Sequence, residues 1–104
     1  MATISLTVKI FGDGTPPADI LEASCTVDGS GFQISRTGSG SFEGTDDVED
    51  SGRILVEASV TAPERTRWRF SASLDPEPDD RPEKKSGIKT IPVGSIDQGG
   101  TLRI

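Results

Sequence analysis

The residues in this 104-residue sequence whose types best suit chemistry are a short run of carboxylates. Four acidic side chains fall within five positions: Asp46, Asp47, Glu49 and Asp50. Oxygen ligands gathered in one loop are what Ca²⁺ requires, so these residues are a candidate calcium site. Their spacing does not match the D-x-[DN]-x-[DN]-G pattern of an EF-hand loop. A solvated acidic turn over residues 45–52 is the interpretation that we favour.

A second candidate is the segment TRWRFSASL, residues 66–74, which places the only tryptophan between two arginines. An aromatic ring among cations would suit a binding platform. Successive residues of a strand point to opposite faces, however, so the tryptophan and the arginines belong to different faces. We therefore expect Trp68 in the core, together with a set of apolar residues from several strands: Leu6, Val8, Val56, Val60, Phe70 and Leu74.

The arginines that face away from this core, and the loop that follows them, make up a candidate partner-binding surface. Its residues are Arg65, Arg67, Arg69, Asp79, Asp80 and Arg81. The loop DPEPDDRPEKKSG, residues 75–87, has three prolines and mixed charge, which predicts an exposed, extended and mobile segment. Because the two parts are consecutive in sequence, we expect them to adjoin at one end of the fold. The alternative is that the arginines balance the protein's own carboxylates, such as Glu57.

Catalysis is disfavoured by what the sequence lacks. It has no histidine, which removes the commonest general base and the commonest transition-metal ligand. The single cysteine, Cys25, falls on the apolar side of an expected strand, where a thiol is typically an inert core residue. Glycine-rich GSGSFEG, residues 38–44, lacks the GK[ST] ending of a phosphate-binding loop. We expect no enzyme activity and no cofactor apart from the calcium considered above.

The net charge of −6 disfavours nucleic-acid binding, because an acidic protein repels a phosphate backbone. A lone cysteine forms no disulfide within the chain. The sequence has no apolar run of the roughly 20 residues that span a bilayer, and its N-terminus lacks the pattern of a signal peptide. We expect a cytoplasmic protein that does not insert into membranes. A protein exported by another route, or a fragment of a larger one, would have the same features.

Alternating apolar and polar residues predict the fold class. The pattern is clear in residues 4–10, 21–27, 54–61 and 66–74, and glycine, proline or aspartate follows each segment. Nine Ile, six Val and ten Thr also favour strands over helices. A further turn is expected at DQGG, residues 97–100. Together these features predict an all-β protein: one antiparallel β-sandwich domain of seven or eight strands over residues 1–104.

The order of these features resembles the transthyretin-like, or carboxypeptidase regulatory-like, β-sandwich modules. LTVKIFGDGTPPADILEASCTV (6–27) is similar to their first part, GSGSFEGTDDVEDSGRILVEASVTAP (38–63) to the second, and KTIPVGSIDQGGTLRI (89–104) to the closing strands. The chain departs from the family in having no tyrosine and a long 75–87 loop. An immunoglobulin-like sandwich fits the same pattern. The resemblance implies a module for stability, adhesion or partner binding without catalysis.

The functional expectation is therefore a non-catalytic protein-interaction or structural module with an unidentified protein partner. Self-association into an oligomer, or membership of a larger assembly, is compatible with it. Two alternatives stand beside it. One is a calcium-dependent binding module that uses the acidic residues 46–50, and the other is a small inhibitor-like protein that presents the 75–87 loop.

Overall fold

A computed structural model describes residues 2–104, which form ten β-strands and no helix. In chain order the strands are β1 (Ala2–Gly12), β2 (Glu22–Val27), β3 (Ser30–Phe32), β4 (Ser35–Gly38), β5 (Ser41–Asp50), β6 (Leu55–Thr61), β7 (Arg67–Asp75), β8 (Lys84–Lys85), β9 (Lys89–Thr90) and β10 (Asp97–Arg103). The predicted all-β class is confirmed. Seven of these strands have four residues or more, and the other three are shorter. Residues 2–104 hold no helix that could cross a membrane.

The strands form two antiparallel sheets. The first has six strands in the order β4-β5-β1-β7-β8, with β9 also paired to β7. The second has four strands in the order β10-β6-β2-β3. The centre of the first sheet is β1, which pairs with β5 along ten residues and with β7 along eight. Its strict alternation of apolar and polar residues lets one face lie on the core while the other faces solvent.

The apolar layer between the sheets contains every residue predicted for it. Trp68 is fully buried, and its ring stacks on that of Phe70 with 5.7 Å between the ring centroids. The Trp68 indole N–H donates to Gln98 Oε1 at 2.8 Å, which satisfies a donor that would otherwise be buried without a partner. The predicted neighbours are all at most 4% exposed: Leu6, Val8, Val56, Val60, Phe70 and Leu74. The interpretation of Trp68 as a core residue is therefore confirmed.

Two predicted turns are strands in the structure. Residues 45–50, expected as an acidic turn, form the second half of β5 and pair residue by residue with β1. Residues 97–100, expected as a turn, begin β10 and pair with β6. Most residues in both segments are polar. The reason is that each segment has one face in solvent and lies at or next to the edge of its sheet. Pairing with a neighbouring strand, rather than local sequence, makes them extended.

The strand directions place the connections at two ends of the sandwich. One end, called the loop end here, holds three long connections: β1–β2 (residues 13–21), β6–β7 (62–66) and β9–β10 (91–96). The opposite end holds the connections β5–β6 (51–54) and β7–β8 (76–83). A strand of nine residues is about 30 Å long, so the two ends of β7 are far apart.

Candidate partner interface

The three connections of the loop end are tied to the sheets by backbone hydrogen bonds. The Asp13 N–H donates to the Arg67 carbonyl at 2.8 Å, and the Leu21 N–H donates to the Thr61 carbonyl at 2.8 Å. On the other side of β6, the Ala62 N–H donates to the Ile96 carbonyl at 2.8 Å. Backbone hydrogen bonds of this kind hold a loop in one conformation without using its side chains, so the side chains are left available for other contacts.

Two buried glycines allow the β1–β2 connection to lie against the six-stranded sheet. A Cβ added to Gly12 or to Gly40 would overlap the backbone of Ala18, and in each case the nearest atom is the Ala18 carbonyl oxygen. Gly12 is the last residue of β1, and Gly40 is in the turn between β4 and β5. Backbone atoms have little room to give way, so only glycine permits this close approach.

Arg36 fixes the same connection from the side. Its guanidinium donates to the carbonyl oxygens of Ile20 at 2.9 Å, Leu21 at 2.6 Å and Ser39 at 3.0 Å. The guanidinium carbon also lies 4.5 Å from the centroid of the Phe42 ring. Arg36 thus binds backbone acceptors at a chain segment that has few strand partners. It was not among the residues singled out in the sequence, and an isolated arginine carries no signal for such a role.

The β9–β10 connection contains a tight turn over residues 92–95. The Ser95 N–H donates to the Pro92 carbonyl at 3.1 Å, and Gly94 has a positive φ of 86°. A glycine with positive φ at the third of the four positions is typical of a type II turn. The Gly94 N–H donates to Glu64 Oε2 at 2.7 Å, which links this turn to the β6–β7 connection. Val93 is consequently held at the tip.

Arg65 occupies a strained position in the β6–β7 connection. Its φ is 70°, in the left-handed region that favours glycine, and its N–H donates to the Ile91 carbonyl at 2.8 Å. The Thr66 N–H donates to the Pro63 carbonyl at 3.1 Å, so Arg65 is the third residue of a four-residue turn. A non-glycine residue in this conformation costs about 1 kcal/mol. The Arg65 side chain is exposed and forms no ion pair within residues 2–104.

Apolar side chains are concentrated at the loop end. Of the four large hydrophobic residues exposed within residues 2–104, three are here: Leu21 at 58%, Val93 at 67% and Ile96 at 58%. Leu21 and Ile96 flank the end of β6, about 10 Å apart across two strand spacings. The same end exposes four prolines: Pro16, Pro17, Pro63 and Pro92. We call this set, with Arg65, the apolar end patch.

Sequence reasoning missed the apolar part of this surface. The alternation in residues 21–27 predicts that Leu21, like Ala23 and Cys25, is on the buried face of its strand. In the structure β2 begins one residue later, at Glu22, and Leu21 is exposed. Val93 and Ile96 lie on either side of Gly94 in a connection between strands. Their exposure depends on which neighbouring loops cover them, and sequence periodicity carries no information about that.

The other two arginines of the predicted surface have partners on their own sheet. Arg67 Nη1 lies 3.7 Å from Asp13 Oδ2, and the Arg69 guanidinium lies 4.9 Å from the centroid of the Phe11 ring. The expectation that Glu57 pairs with them is wrong. Glu57 belongs to β6 in the four-stranded sheet, whereas β7 pairs only with strands of the six-stranded sheet.

The residues Asp79, Asp80 and Arg81 lie at the end of the sandwich opposite the loop end. Contrary to the prediction, these three residues therefore do not adjoin the arginines at one end of the fold. The last part of the 75–87 loop does return to the arginine face, because Glu83 and Lys85 line one groove with Arg69. The 75–87 segment is also not a loop over its whole length. Residues 84 and 85 return as β8 and pair with Ala72 and Ser71 of β7. The predicted partner-binding set is thus divided between the two ends.

Arg81 anchors that loop to the rest of the fold. Its Nη1 donates to Asp50 Oδ2 at 2.8 Å, and its Nη2 donates to the Ile104 carbonyl at 3.0 Å. Each of the two charged side chains is 16% exposed. The hydrogen bond from Arg81 lowers the pKa of the Asp50 carboxyl below 3.8, and the same bond raises the pKa of Arg81. The Arg81 Nε is buried without a hydrogen-bond partner among the described residues.

The four acidic residues proposed for calcium do not share a loop. They alternate along β5, so Asp47 and Glu49 are on the outer face and Asp46 and Asp50 on the side of the core. Asp50 is paired with Arg81. Within residues 2–104 no three acidic, cysteine or histidine side chains are grouped to hold a metal ion. The predicted acidic loop is wrong, and calcium binding itself stays a prediction, which titration with Ca²⁺ tests.

Cys25 is a core residue, as predicted. It is 5% exposed, and burial raises the pKa of its thiol to about 11. The thiolate, which is the reactive form, is therefore scarce at neutral pH.

Comparison of the chain with protein-family models, with curated proteins and with solved structures gives no match. The resemblance to transthyretin-like modules stays a prediction.

Proposed function

We propose that the protein is a non-catalytic interaction module that binds a protein partner through the apolar end patch. The observation that carries this proposal is the concentration of exposed Leu21, Val93 and Ile96 with four exposed prolines at one end. Monomeric proteins expose contiguous apolar surface mainly where it functions. Such a patch beside an arginine has the composition of a protein–protein interface.

The backbone strain at Arg65 supports this assignment. Glycine would relieve the cost of a φ of 70°, yet the position carries a long cationic side chain without an ion pair among the described residues. Strain of this kind is typical of residues that serve binding rather than folding. The expected partner surface is apolar at its centre and has a carboxylate that faces Arg65.

The rigidity of the patch supports binding as well. Hydrogen bonds from the Arg36 guanidinium and from the Gly94 N–H hold two of its loops. A surface that is already ordered loses less entropy when a partner binds. The absence of histidine from the sequence and the buried Cys25 thiol support a role without catalysis.

A structural module of the transthyretin-like type remains part of this proposal. In that case a neighbouring domain of a larger assembly would cover the apolar end patch. The inhibitor-like alternative has less support, because Arg81 binds the middle of the 75–87 loop to Asp50.

The experiment that tests the proposal is a quantitative affinity capture with matched variants. The wild-type protein, Arg65→Glu and the double variant Leu21→Ser with Ile96→Ser are used as baits in native lysate, and captured proteins are measured by mass spectrometry. We expect the partner to be captured by the wild type and lost by at least tenfold with both variants.

The control variant is Arg53→Glu, which makes the same charge change at an exposed site of the opposite end. It should capture the partner as the wild type does. Melting temperature and Trp68 fluorescence establish that each bait is folded. If no protein distinguishes the wild type and Arg53→Glu from the two patch variants, the apolar end patch is not the interface.

A further inference from the structure

A second surface, separate from the apolar end patch, has the chemistry of an anion site. It is a groove of about 240 Å³ on the solvent face of the six-stranded sheet, between β1, β7 and β8. Its lining includes three cations, an aromatic ring, a hydroxyl and a carboxylate: Lys9, Arg69, Lys85, Phe11, Ser71 and Glu83.

The strand register places two lysines on either side of one serine. Lys9 of β1 is directly opposite Ser71 of β7, and Ser71 is directly opposite Lys85 of β8. Directly opposed residues on one face have Cβ atoms about 5 Å apart. The Ser71 hydroxyl therefore lies between two ammonium-bearing side chains in a single row across three strands.

Ser71 is unusual among the described residues. It is the one polar residue that is buried, at 6% exposure, and its hydroxyl forms no hydrogen bond to any described residue. Arg81 Nε is the only fully buried side-chain nitrogen or oxygen atom without a partner among the described residues, so the Ser71 hydroxyl opens onto the groove and is free to donate to a ligand. Because Ser71 is at the floor of the groove, a ligand seated between the two lysines would accept its hydrogen bond.

Arg69 supplies a third cation from the next row. It is directly opposite Phe11, and its guanidinium lies 4.9 Å from the centroid of that ring. Stacking on an aromatic face restricts the guanidinium plane but leaves its edge N–H groups available. Arg69 has no ion pair among the described residues. Its position beside the lysine row makes it available to a bound anion.

The carboxylates near the groove hold the lysines only weakly. Lys9 Nζ lies 3.8 Å from Glu43 Oε1, and Lys85 Nζ lies 3.8 Å from Glu83 Oε1. In each pair the lysine side chain is more than half exposed. Exposed ion pairs of this kind contribute about 0–1 kcal/mol. A dianion can therefore recruit both lysines without breaking a strong interaction.

We propose that this groove binds a phosphate monoester, carried on a phosphorylated segment of a protein. Three cations, one carboxylate and one hydroxyl line it, and the resulting net charge of +2 matches the double charge of such a group. A carboxylate has one charge and would leave the groove with unpaired cations. A phosphodiester also has one charge, and the net charge of −6 opposes a polyanionic nucleic acid.

The test is an NMR titration of the ¹⁵N-labelled protein at constant ionic strength, first with inorganic phosphate. We expect saturable shifts centred on the amides of Arg69, Ser71 and Lys85. A phosphoserine peptide should bind more tightly than inorganic phosphate, and its unphosphorylated form should not bind. Equal affinity for inorganic phosphate and for the phosphoserine peptide would indicate that the groove binds a free oxyanion, and it would overturn the proposal of a phosphorylated protein segment.

Variants locate the binding. Lys85→Gln and Arg69→Gln should each weaken phosphate affinity about tenfold, the loss expected for one charge-assisted hydrogen bond. The matched control is Lys84→Gln, which removes the same charge at the adjacent residue; Lys84 pairs with Ala72 and does not line the groove. It should change the affinity less than twofold.

Three results would overturn the proposal. They are chemical shifts that change linearly with phosphate concentration, an equal loss of phosphate affinity in Lys84→Gln and Lys85→Gln, and an oligonucleotide that binds as tightly as the phosphopeptide. The proposal is independent of the apolar end patch. Arg65→Glu should leave phosphate binding unchanged, so either site can fail without the other.

Discussion

The two ends of the sandwich are built in different ways. At the loop end, backbone hydrogen bonds, two close-packed glycines and the Arg36 guanidinium hold the connections, and the side chains of Leu21 and Val93 stay exposed. At the opposite end, a charged side chain does the anchoring: Arg81 reaches Asp50 and the Ile104 carbonyl. Side chains used for anchoring are not available to a partner.

This difference identifies which end is suited to binding. At the loop end the anchoring groups are the backbone, Arg36 and Glu64, so the exposed residues of the apolar end patch are left free and are presented in a fixed arrangement. An end held by an ion pair depends on pH for part of its stability. Substitutions at the two ends should therefore separate binding from stability.

The largest effect is expected for Gly40→Ala. The new Cβ would overlap the Ala18 backbone, so the β1–β2 connection must move. We expect a loss of about 1–3 kcal/mol in the free energy of unfolding, typical of overpacking, together with loss of partner capture. Denaturant unfolding, monitored by Trp68 fluorescence, measures the free energy of unfolding. Gly31→Ala is the control, because nothing lies within 4 Å of its added Cβ. Equal stability of the two variants would show that the close approach at Gly40 is unimportant.

The second-largest effect is expected for Asp50, at the end opposite the loop end, and it depends on pH. Because the folded pKa of Asp50 is below the 3.8 of the free group, its charged form stabilises the fold above about pH 4. That contribution is lost as pH falls through the folded pKa. Asp50→Asn should therefore be less stable than the wild type at pH 7, by less than Gly40→Ala, and the difference should shrink below about pH 4. Thermal unfolding at pH 7, 4 and 3 checks this. A difference that is constant across these pH values would contradict it.

A smaller effect is expected for Arg36→Met, which removes the hydrogen bonds to the β1–β2 connection but keeps an apolar stem over Phe42. The side chain is exposed, so we expect a loss of about 1 kcal/mol rather than the full value of several charged hydrogen bonds. Hydrogen exchange should speed up in residues 18–21 and stay unchanged at the opposite end. Arg53→Met, at an exposed site, is the control. Uniform exchange changes across the chain would contradict a local role.

The smallest effect on stability is expected for Arg65→Gly. Glycine tolerates a φ of 70°, so relief of strain offsets the greater freedom of the unfolded chain. The change in the free energy of unfolding should stay within about 0.5 kcal/mol. Partner capture should nevertheless fall, as we also expect for Arg65→Glu. A loss of stability above 1 kcal/mol would instead assign Arg65 a role in the fold.

Much of the sandwich was predictable from alternation. β1, β6 and β7 each bury one face along most of their length, and most of their apolar residues are on that face. The second half of β5 is not predicted as a strand, because it is acidic and Phe42 is the only buried residue of β5. A strand with one weakly buried face resembles a turn in sequence. Pairing with β1 along its whole length stabilises it as a strand.

The candidate sites were less predictable than the fold. Arg65, Arg67 and Arg69 were found because three arginines surround one tryptophan in sequence. The grouping of Arg69 with Lys9 and Lys85 depends on the register of three strands, one of which has two residues. The predicted grouping of Arg81 with Arg65 is wrong for a related reason, because strand pairing decides where each residue lies. Neighbours in sequence were separated by the length of β7, and distant residues were brought together.

The sequence by itself determined the all-β class, the buried face of each strongly alternating strand, the core position of Trp68 and the lack of histidine-based chemistry. These properties depend on residue types and on a period of two, which are local. Tertiary structure alone decided which residues share an end or a row. It placed Leu21 beside Ile96, Ser71 between two lysines and Arg81 against Asp50. Strand order and register set these contacts, and both arise from long-range pairing that no local pattern encodes.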